Sequence, residues 1–302
     1  MQSAVRLACT VNNSCSGEFW MTREVHEKTV KLPNGLVINY FEWPGKGPKL
    51  LLLHPTTGYG RIWEWLADAL GDQFHIFAHD QRGHGRSGRP DGSYSAEEYA
   101  DDAALFMEAV GIDRAIVFGH SLGSRVGQAL AGLYPERVEL LLLTATHRSN
   151  FYGTREEAKS VLITAANNLE HPERFPSKAD AIAYMRARWP WSPDPDHALE
   201  HRIAHNFDHG VDGSVSARYD IVRVSQGLMH LSDNMRPHAA AVKCPVVILR
   251  AASGKLSAEE AADLSRFWRD ARVVDVEGTY AVQLENPKGV AEVILALTSE
   301  KR

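Results

Sequence analysis

Cysteine is scarce in this sequence: Cys9, Cys15 and Cys244 are the full set. An odd, sparse count excludes a disulfide framework and suits a reducing compartment, the cytoplasm. Positive charge is not in excess. There are 33 Lys+Arg against 38 Asp+Glu, a net charge of -5, with no dense basic block. Nucleic acid and anionic membrane surfaces are therefore poor candidates as partners, and a small-molecule substrate is expected instead. No apolar run approaches about 18 residues, which excludes a helical membrane span. Internal repeats and low-complexity tracts are absent, and no pattern specifies an oligomeric state. What the chain does have is apolar material. Of its 302 residues 44% are hydrophobic, enough for a buried core and against a disordered chain.

The first twenty residues stand apart. Ala4 to Cys9 is apolar but short, and Arg6 interrupts it, so it reads as neither a secretory segment nor a span. Residues 1–21 are expected to form a loose leader, with Met21 as an alternative start.

From about residue 35 the chain alternates short apolar runs with longer amphipathic ones. Gly35–Trp43 alternates at period two, as a strand. Leu50-Leu51-Leu52-Leu53 is continuous, the mark of a strand buried on both faces. Residues 61–70 have helical spacing, and 74–78 form a strand. Ser95-Ala96-Glu97-Glu98 is a capping-box pattern that opens a helix to Val110. Strands at 115–118 and 138–143 flank a helix from Ser121 to Tyr134. Residues 147–237 break this rhythm with helical segments and Pro-rich turns. Strands return at 245–249 and 273–276, with helices at 258–268 and from Asn286-Pro287 to about Thr298. Repeated β-α units predict an α/β fold with a doubly wound, mostly parallel sheet. The core should comprise 22–146 and 238–302. The inserted 147–237 should form a helical lid over the strands' carboxyl ends, where open sheets bind ligands.

Strand 115–118 runs into Gly119-His120-Ser121-Leu122-Gly123 and then a helix. This is G-x-S-x-G in its required strand–turn–helix setting. Ser121 should occupy a strained, sharp turn with its hydroxyl clear of the sheet. Side chains at 119 or 123 would clash with neighbouring elements. The Leu122 N–H lies at the mouth of the new helix, where the dipole favours an oxyanion. Leu53-His54-Pro55-Thr56-Thr57-Gly58 could supply a second donor, the Thr56 N–H. Asp80-Gln81-Arg82-Gly83-His84-Gly85-Arg86-Ser87 follows the third strand.

Together these residues resemble the α/β-hydrolase superfamily, its lidded esterase/lactonase-like branch, over about residues 30–300. The resemblance implies a nucleophile–acid–histidine order of catalytic residues, with Ser121 as nucleophile. It also marks a departure. The last histidine in the chain is His238, and the family's histidine falls on Tyr280, within Glu277-Gly278-Thr279-Tyr280-Ala281. Where family members carry an acid, the loop reads Ser253-Gly254. Tyrosine, with a pKa of about 10, is a poor base at neutral pH but a competent hydrogen-bond donor.

Three replacements for the base are open: His147, which follows strand 138–143 and otherwise reads as a surface histidine; a lid histidine; or the substrate. His54, Tyr59, Trp189 and Trp191 are candidates to line the substrate pocket. The alternatives are backbone bonding for His54, and ordinary packing of lid on core for the aromatics, Trp63 included. His84 resembles a structural residue, His120 a packed one, and Asp80 should fix the loop holding Arg82. Asp101-Asp102 reads as a solvated helix face. His197, His201, His205 and His209 are four apart on the lid. Such spacing can bind zinc, but nothing in the segment marks a third ligand, so a polar face is expected, with no metal and no cofactor.

The expected function is an enzyme acting on a small, largely apolar ester, lactone or related carbonyl substrate through an atypical triad. Two alternatives remain. One is a non-hydrolytic decarboxylase, lyase, cyclase or isomerase that uses the oxyanion donors and Tyr280. The other is a catalytically degenerate binding protein.

Overall fold

The computed structural model describes residues 23–146, 154–188 and 196–299. Its centre is an eight-stranded sheet ordered β1-β2-β4-β3-β5-β6-β10-β11. The strands are β1 (His26–Lys31), β2 (Val37–Trp43), β3 (Lys49–Leu53), β4 (His75–His79), β5 (Ala115–His120), β6 (Val138–Thr144), β10 (Val246–Ala251) and β11 (Ala271–Val276). Pairing is antiparallel from β1 to β2 and from β2 to β4, and parallel elsewhere. Strand β1 was not expected. Its charged sequence His26-Glu27-Lys28-Thr29-Val30-Lys31 has a single aliphatic residue, which suits a solvated sheet edge and hides the strand from an apolar pattern.

Side chains alternate between two cores, as the pleat requires. Leu51, Leu53, Val117, Leu141 and Leu143 face one layer, with α2 (Ala96–Ala109) and α3 (Leu122–Leu133). Leu50, Leu52, Ile116, Phe118 and Leu142 face the other, with α1 (Glu64–Leu70) and the last helix, α11 (Pro287–Ser299). Leu50 to Leu53 are wholly buried, and each such side chain contributes about 1.5–3 kcal/mol relative to exposure. Both faces are covered, which is why β3 reads as an unbroken apolar run.

Between β6 and β10 the described residues form α4 (Arg155–Leu169), α5 (Lys178–Arg188), α6 (Asp196–Asn206), α7 (Ile221–Leu228) and α8 (Arg236–Ala241). They also contain β7 (Arg174–Phe175), β8 (Phe207–His209) and β9 (Val215–Ala217), a small antiparallel sheet ordered β7-β9-β8. The expectation of helical segments and Pro-rich turns did not include this sheet. Its signal was the Asp212-Gly213 turn: Gly213 has φ +84, and the Asp212 carboxylate accepts the Ser214 N–H. As a result His209 lies on β8, and the four-residue histidine spacing holds on one helix only for His197, His201 and His205. After β10 come α9 (Ala258–Ser265) and, ahead of α11, the short α10 (Val282–Glu285). Ser257 and Glu260 close a complete capping box on α9. No helix among the described residues is long and apolar enough to cross a membrane.

Candidate functional site

The junction of β5 and α3 holds Ser121 at φ +53, ψ -108, a left-handed conformation that non-glycine residues rarely adopt. The flanking glycines are required by contact. A Cβ on Gly119 would lie 2.1 Å from the Gly123 carbonyl oxygen, and one on Gly123 would lie 2.0 Å from that of Leu53. The turn is pinned to the next strand: the Ser121 N–H donates to Thr144 O at 3.0 Å. The Ser124 hydroxyl lies 2.7 Å from Gly119 O and 2.6 Å from Thr144 O, and accepts the Thr144 N–H. Among the described non-glycine residues only Thr57, Tyr94, Ser121 and Ala145 have positive φ. Three of these lie at the carboxyl ends of the adjacent strands β3, β5 and β6, so backbone strain is concentrated around the turn.

Leu122 opens α3, so its N–H has no intrahelical acceptor. Leu53 pairs with Gly119, which sets the 54–58 loop beside the turn. In that loop the Thr57 N–H donates to His84 Nε2. The Thr56 N–H has no acceptor among the described residues and is the free donor of the pair. Thr57 O accepts from Arg202 at 3.3 Å and Asn206 at 3.1 Å, both on α6. Spacing of four placed these two on one helix face, but only the fold shows that the face meets the 54–58 loop.

His54 is corrected. Its ring is fully buried, with Nδ1 donating to Pro55 O and Nε2 accepting the Gln81 N–H. It braces two loops and has no face for substrate. Burial, then the neighbouring His84, pushes its pKa well below the ordinary value. His84 Nδ1 bonds Arg82 O, and burial lowers this ring to about 4. Tyr59 is corrected likewise: it is 2% exposed and its hydroxyl bonds His201 Nδ1 at 2.7 Å, so it packs the insertion on the core. Trp63 is fully buried against Phe118. His147, Trp189 and Trp191 lie outside the described residues, as does the 1–21 leader.

Tyr280 sits beside the turn, its ring 4.9 Å from that of His120. Its loop is held by Glu285, whose carboxylate accepts the N–H groups of Thr279, Tyr280 and Ala281 and the Thr279 hydroxyl. Sequence reading gave Glu285, in the Leu284-Glu285-Asn286-Pro287 stretch, no role of its own, because a single glutamate on a short helix carries no signal of a loop brace. His120 pairs with the buried Gln283 amide at 2.8 Å, and burial, then the Arg202 charge, takes it to about 3. The loops after β10 and β11 run together through Ser253 N–H to Gly278 O. A Cβ on Gly254 would lie 2.5 Å from Thr279 O. Ser253 is exposed, and Gly254 has no room for a side chain.

Around the site, Asp80 is buried and accepts from Gly60, Arg86 and Asn39, tying three segments together. Asp102 corrects the expected solvated pair: it is 2% exposed and holds Arg82 through two hydrogen bonds, while Asp101 is exposed. A cavity of about 500 Å³ lies at the strands' amino ends, lined by Pro48, Phe74, Ile116 and Leu140 among others. It is at the opposite end of the sheet from Ser121.

The relative that decides the family is a 2-(acetamidomethylene)succinate hydrolase from Mesorhizobium japonicum. It is 32% identical over 236 residues, covering 78% of this chain and 81% of that protein. The chain belongs to the alpha/beta hydrolase fold family. The model of that family matches residues 48–169, from β3 through the turn and into α4. The crystal structure of an E-2-(acetamidomethylene)succinate hydrolase superposes with a TM-score of 0.80 at 29% identity, covering 91% of this chain and all of the other. An esterase from Mycobacterium tuberculosis is 27% identical over 264 residues, 85% of each chain. The residues matched to the alpha/beta hydrolase fold include the Gly119–Gly123 turn with its strained Ser121.

Proposed function

We propose that this protein is a hydrolase of small ester, lactone or related carbonyl substrates, with Ser121 as nucleophile. The observation that carries the reading is the Ser121 turn. Its backbone is held at φ +53 by glycine contacts and by Thr144, with the Leu122 and Thr56 N–H groups unengaged beside it. Names of relatives support it, since a succinate-derivative hydrolase and an esterase are among them. In this reading Ser121 Oγ adds to the substrate carbonyl carbon, its proton passing to a base. The developing oxyanion faces the two N–H donors, each worth about 10²–10³ in turnover. His147, three residues beyond the carbonyl that accepts the Ser121 N–H, is the nominated base, and Tyr280 a hydrogen-bond donor. Residues 147–237 act as a lid, with Trp189 and Trp191 the nominated substrate contacts. A fluorophosphonate probe tests the serine. Wild type should label stoichiometrically and Ser121→Ala not at all; failure of the folded wild type to label overturns the assignment.

A second reading is favoured by the carboxylate-free loop at Ser253-Gly254 and by the Glu285-anchored Tyr280. There the oxyanion donors stabilise an enolate without an acyl-enzyme, in a lyase, isomerase, cyclase or decarboxylase. It predicts no labelling and a rate defect in Tyr280→Phe.

A further inference from the structure

Helix α6 carries His201 and His205 four residues apart, so both rings leave the same face. That face meets α1 of the core, where Glu64 is 9% exposed. One ligand atom from each of Glu64, His201 and His205 can be chosen so that all lie within 4.8 Å of one another. The sequence supplied the histidine pair, and the tertiary fold supplies the carboxylate from 137 positions away.

We propose that Glu64, His201 and His205 form a site for a divalent transition-metal ion that clamps the insertion to the core.

The donor set, two imidazoles and one carboxylate, suits zinc and its neighbours rather than magnesium or calcium. Tetrahedral zinc with ligands at about 2.0–2.1 Å needs ligand atoms about 3.4 Å apart. His201 Nε2 now lies 2.7 Å from Glu64 Oε2 and must open by about 0.7 Å, while the His205 nitrogen, within 4.8 Å of both, must settle at the same spacing. His205 is half-buried and none of the described residues' hydrogen bonds engages its ring, so a rotamer change suffices. The ion would take the Glu64 lone pair that His201 now occupies with its Nε2–H. The displaced proton can move to Nδ1, because the Tyr59 hydroxyl there can accept as well as donate. Arg61 already bonds both Glu64 oxygens, at 2.9 and 3.0 Å, and would orient the ligating carboxylate as Tyr59 orients the imidazole. Its positive charge opposes the ion's, which points to a reversible site rather than a permanent one. Arg202, between the two histidines, donates to Thr57 O. Occupancy is thereby coupled to the loop that carries the Thr56 N–H.

The test is titration of EDTA-stripped full-length protein with Zn²⁺ by calorimetry, and with Co²⁺ followed by visible absorption. One ion per chain is expected, with the intense visible bands of tetrahedral Co²⁺ and a rise in thermal midpoint with Zn²⁺. His205→Asn and His201→Asn should each weaken binding by roughly 10- to 100-fold or more. His197→Ala, on the same helix but outside the triad, should bind as wild type. The proposal is overturned by absence of saturable Zn²⁺ binding, by equal affinity in wild type and His205→Asn, or by equal loss in His197→Ala. These readouts do not depend on Ser121 chemistry, so they stand or fall apart from the proposed hydrolysis.

Discussion

The main-chain N–H of Ser121 donates to the carbonyl oxygen of Thr144 at 3.0 Å. This bond fastens the strained turn after β5 to the end of β6, where Ala145 is itself at φ +52. The two left-handed residues stand one position beyond the ends of adjacent strands, whose parallel pairing brings His120 opposite Thr144.

The glycines that permit this turn should not tolerate a methyl group. Gly123→Ala places a Cβ 2.0 Å from Leu53 O, a backbone atom of a buried strand that cannot give way cheaply. A loss of about 1–3 kcal/mol or more is expected. Urea denaturation of Gly123→Ala against Gly111→Ser, a surface control with nothing within 4 Å, measures the difference, with the control showing only its own left-handed strain.

The Arg82–Asp102 pair is buried and bidentate, at 2.6 and 3.0 Å. Removing Asp102 takes two hydrogen bonds from the buried Arg82 guanidinium and leaves it with Glu98, whose carboxylate it also reaches at 2.6 Å. Asp102→Ala should cost about 1.5–3 kcal/mol. Asp101→Ala, one position along on the exposed side, should cost under about 1 kcal/mol. Equal effects at the two positions would contradict the burial difference.

Glu285 holds the Tyr280 loop through four hydrogen bonds to one carboxylate. Glu285→Gln keeps the volume but replaces one acceptor oxygen by a donor NH₂ facing N–H groups. About 1.5–3 kcal/mol of stability should be lost. If Tyr280 serves the reaction, turnover should fall with it, and by no more than Tyr280→Phe removes. Hydrogen exchange at residues 279–281 reports the loosening directly.

Acid should unfold the core through its neutral histidines. Burial lowers His79 to about 3, His84 to about 4 and His120 to about 3, from an ordinary 6.5. Below pH 6.5 the unfolded chain takes up protons that the folded chain refuses. Stability from these sites is therefore intact above that value and drains away as pH falls toward 4. Each histidine contributes a slope of up to about 1.4 kcal/mol per pH unit. His79→Phe, which keeps a ring against Phe106, should flatten the dependence of the urea midpoint on pH between 6.5 and 4. An unchanged slope would contradict the assignment.

If Ser121 is the nucleophile, Ser121→Ala should lower turnover by on the order of 10⁴–10⁶ with stability unchanged or raised, since an alanine leaves the turn's contacts in place. His147→Ala should produce a comparable loss if that histidine is the base. Full activity in His147→Ala would direct the search to a lid histidine or to the substrate itself.

Most of the sheet could be read from the chain, because central parallel strands are buried on both faces and leave unbroken apolar runs such as Leu50–Leu53. The serine turn was equally legible, since its steric demands fall on glycines at fixed spacing. Edge and insertion elements were not. β1 is mostly polar because water covers it, and the β8–β9 hairpin carried only an Asp-Gly turn. For His54 and Tyr59 the sequence left pocket wall and packing or loop brace both open, because these roles use the same residue types and differ only in what lies against the ring. By itself, then, the sequence determined the local geometry: which segments pleat or coil, and where backbone strain must sit. Only the tertiary structure decided which distant groups meet. Glu285 beneath Tyr280, Asp102 on Arg82, and Glu64 against His201 and His205 are pairings fixed by sheet order and helix packing, and sequence separation carries no record of either.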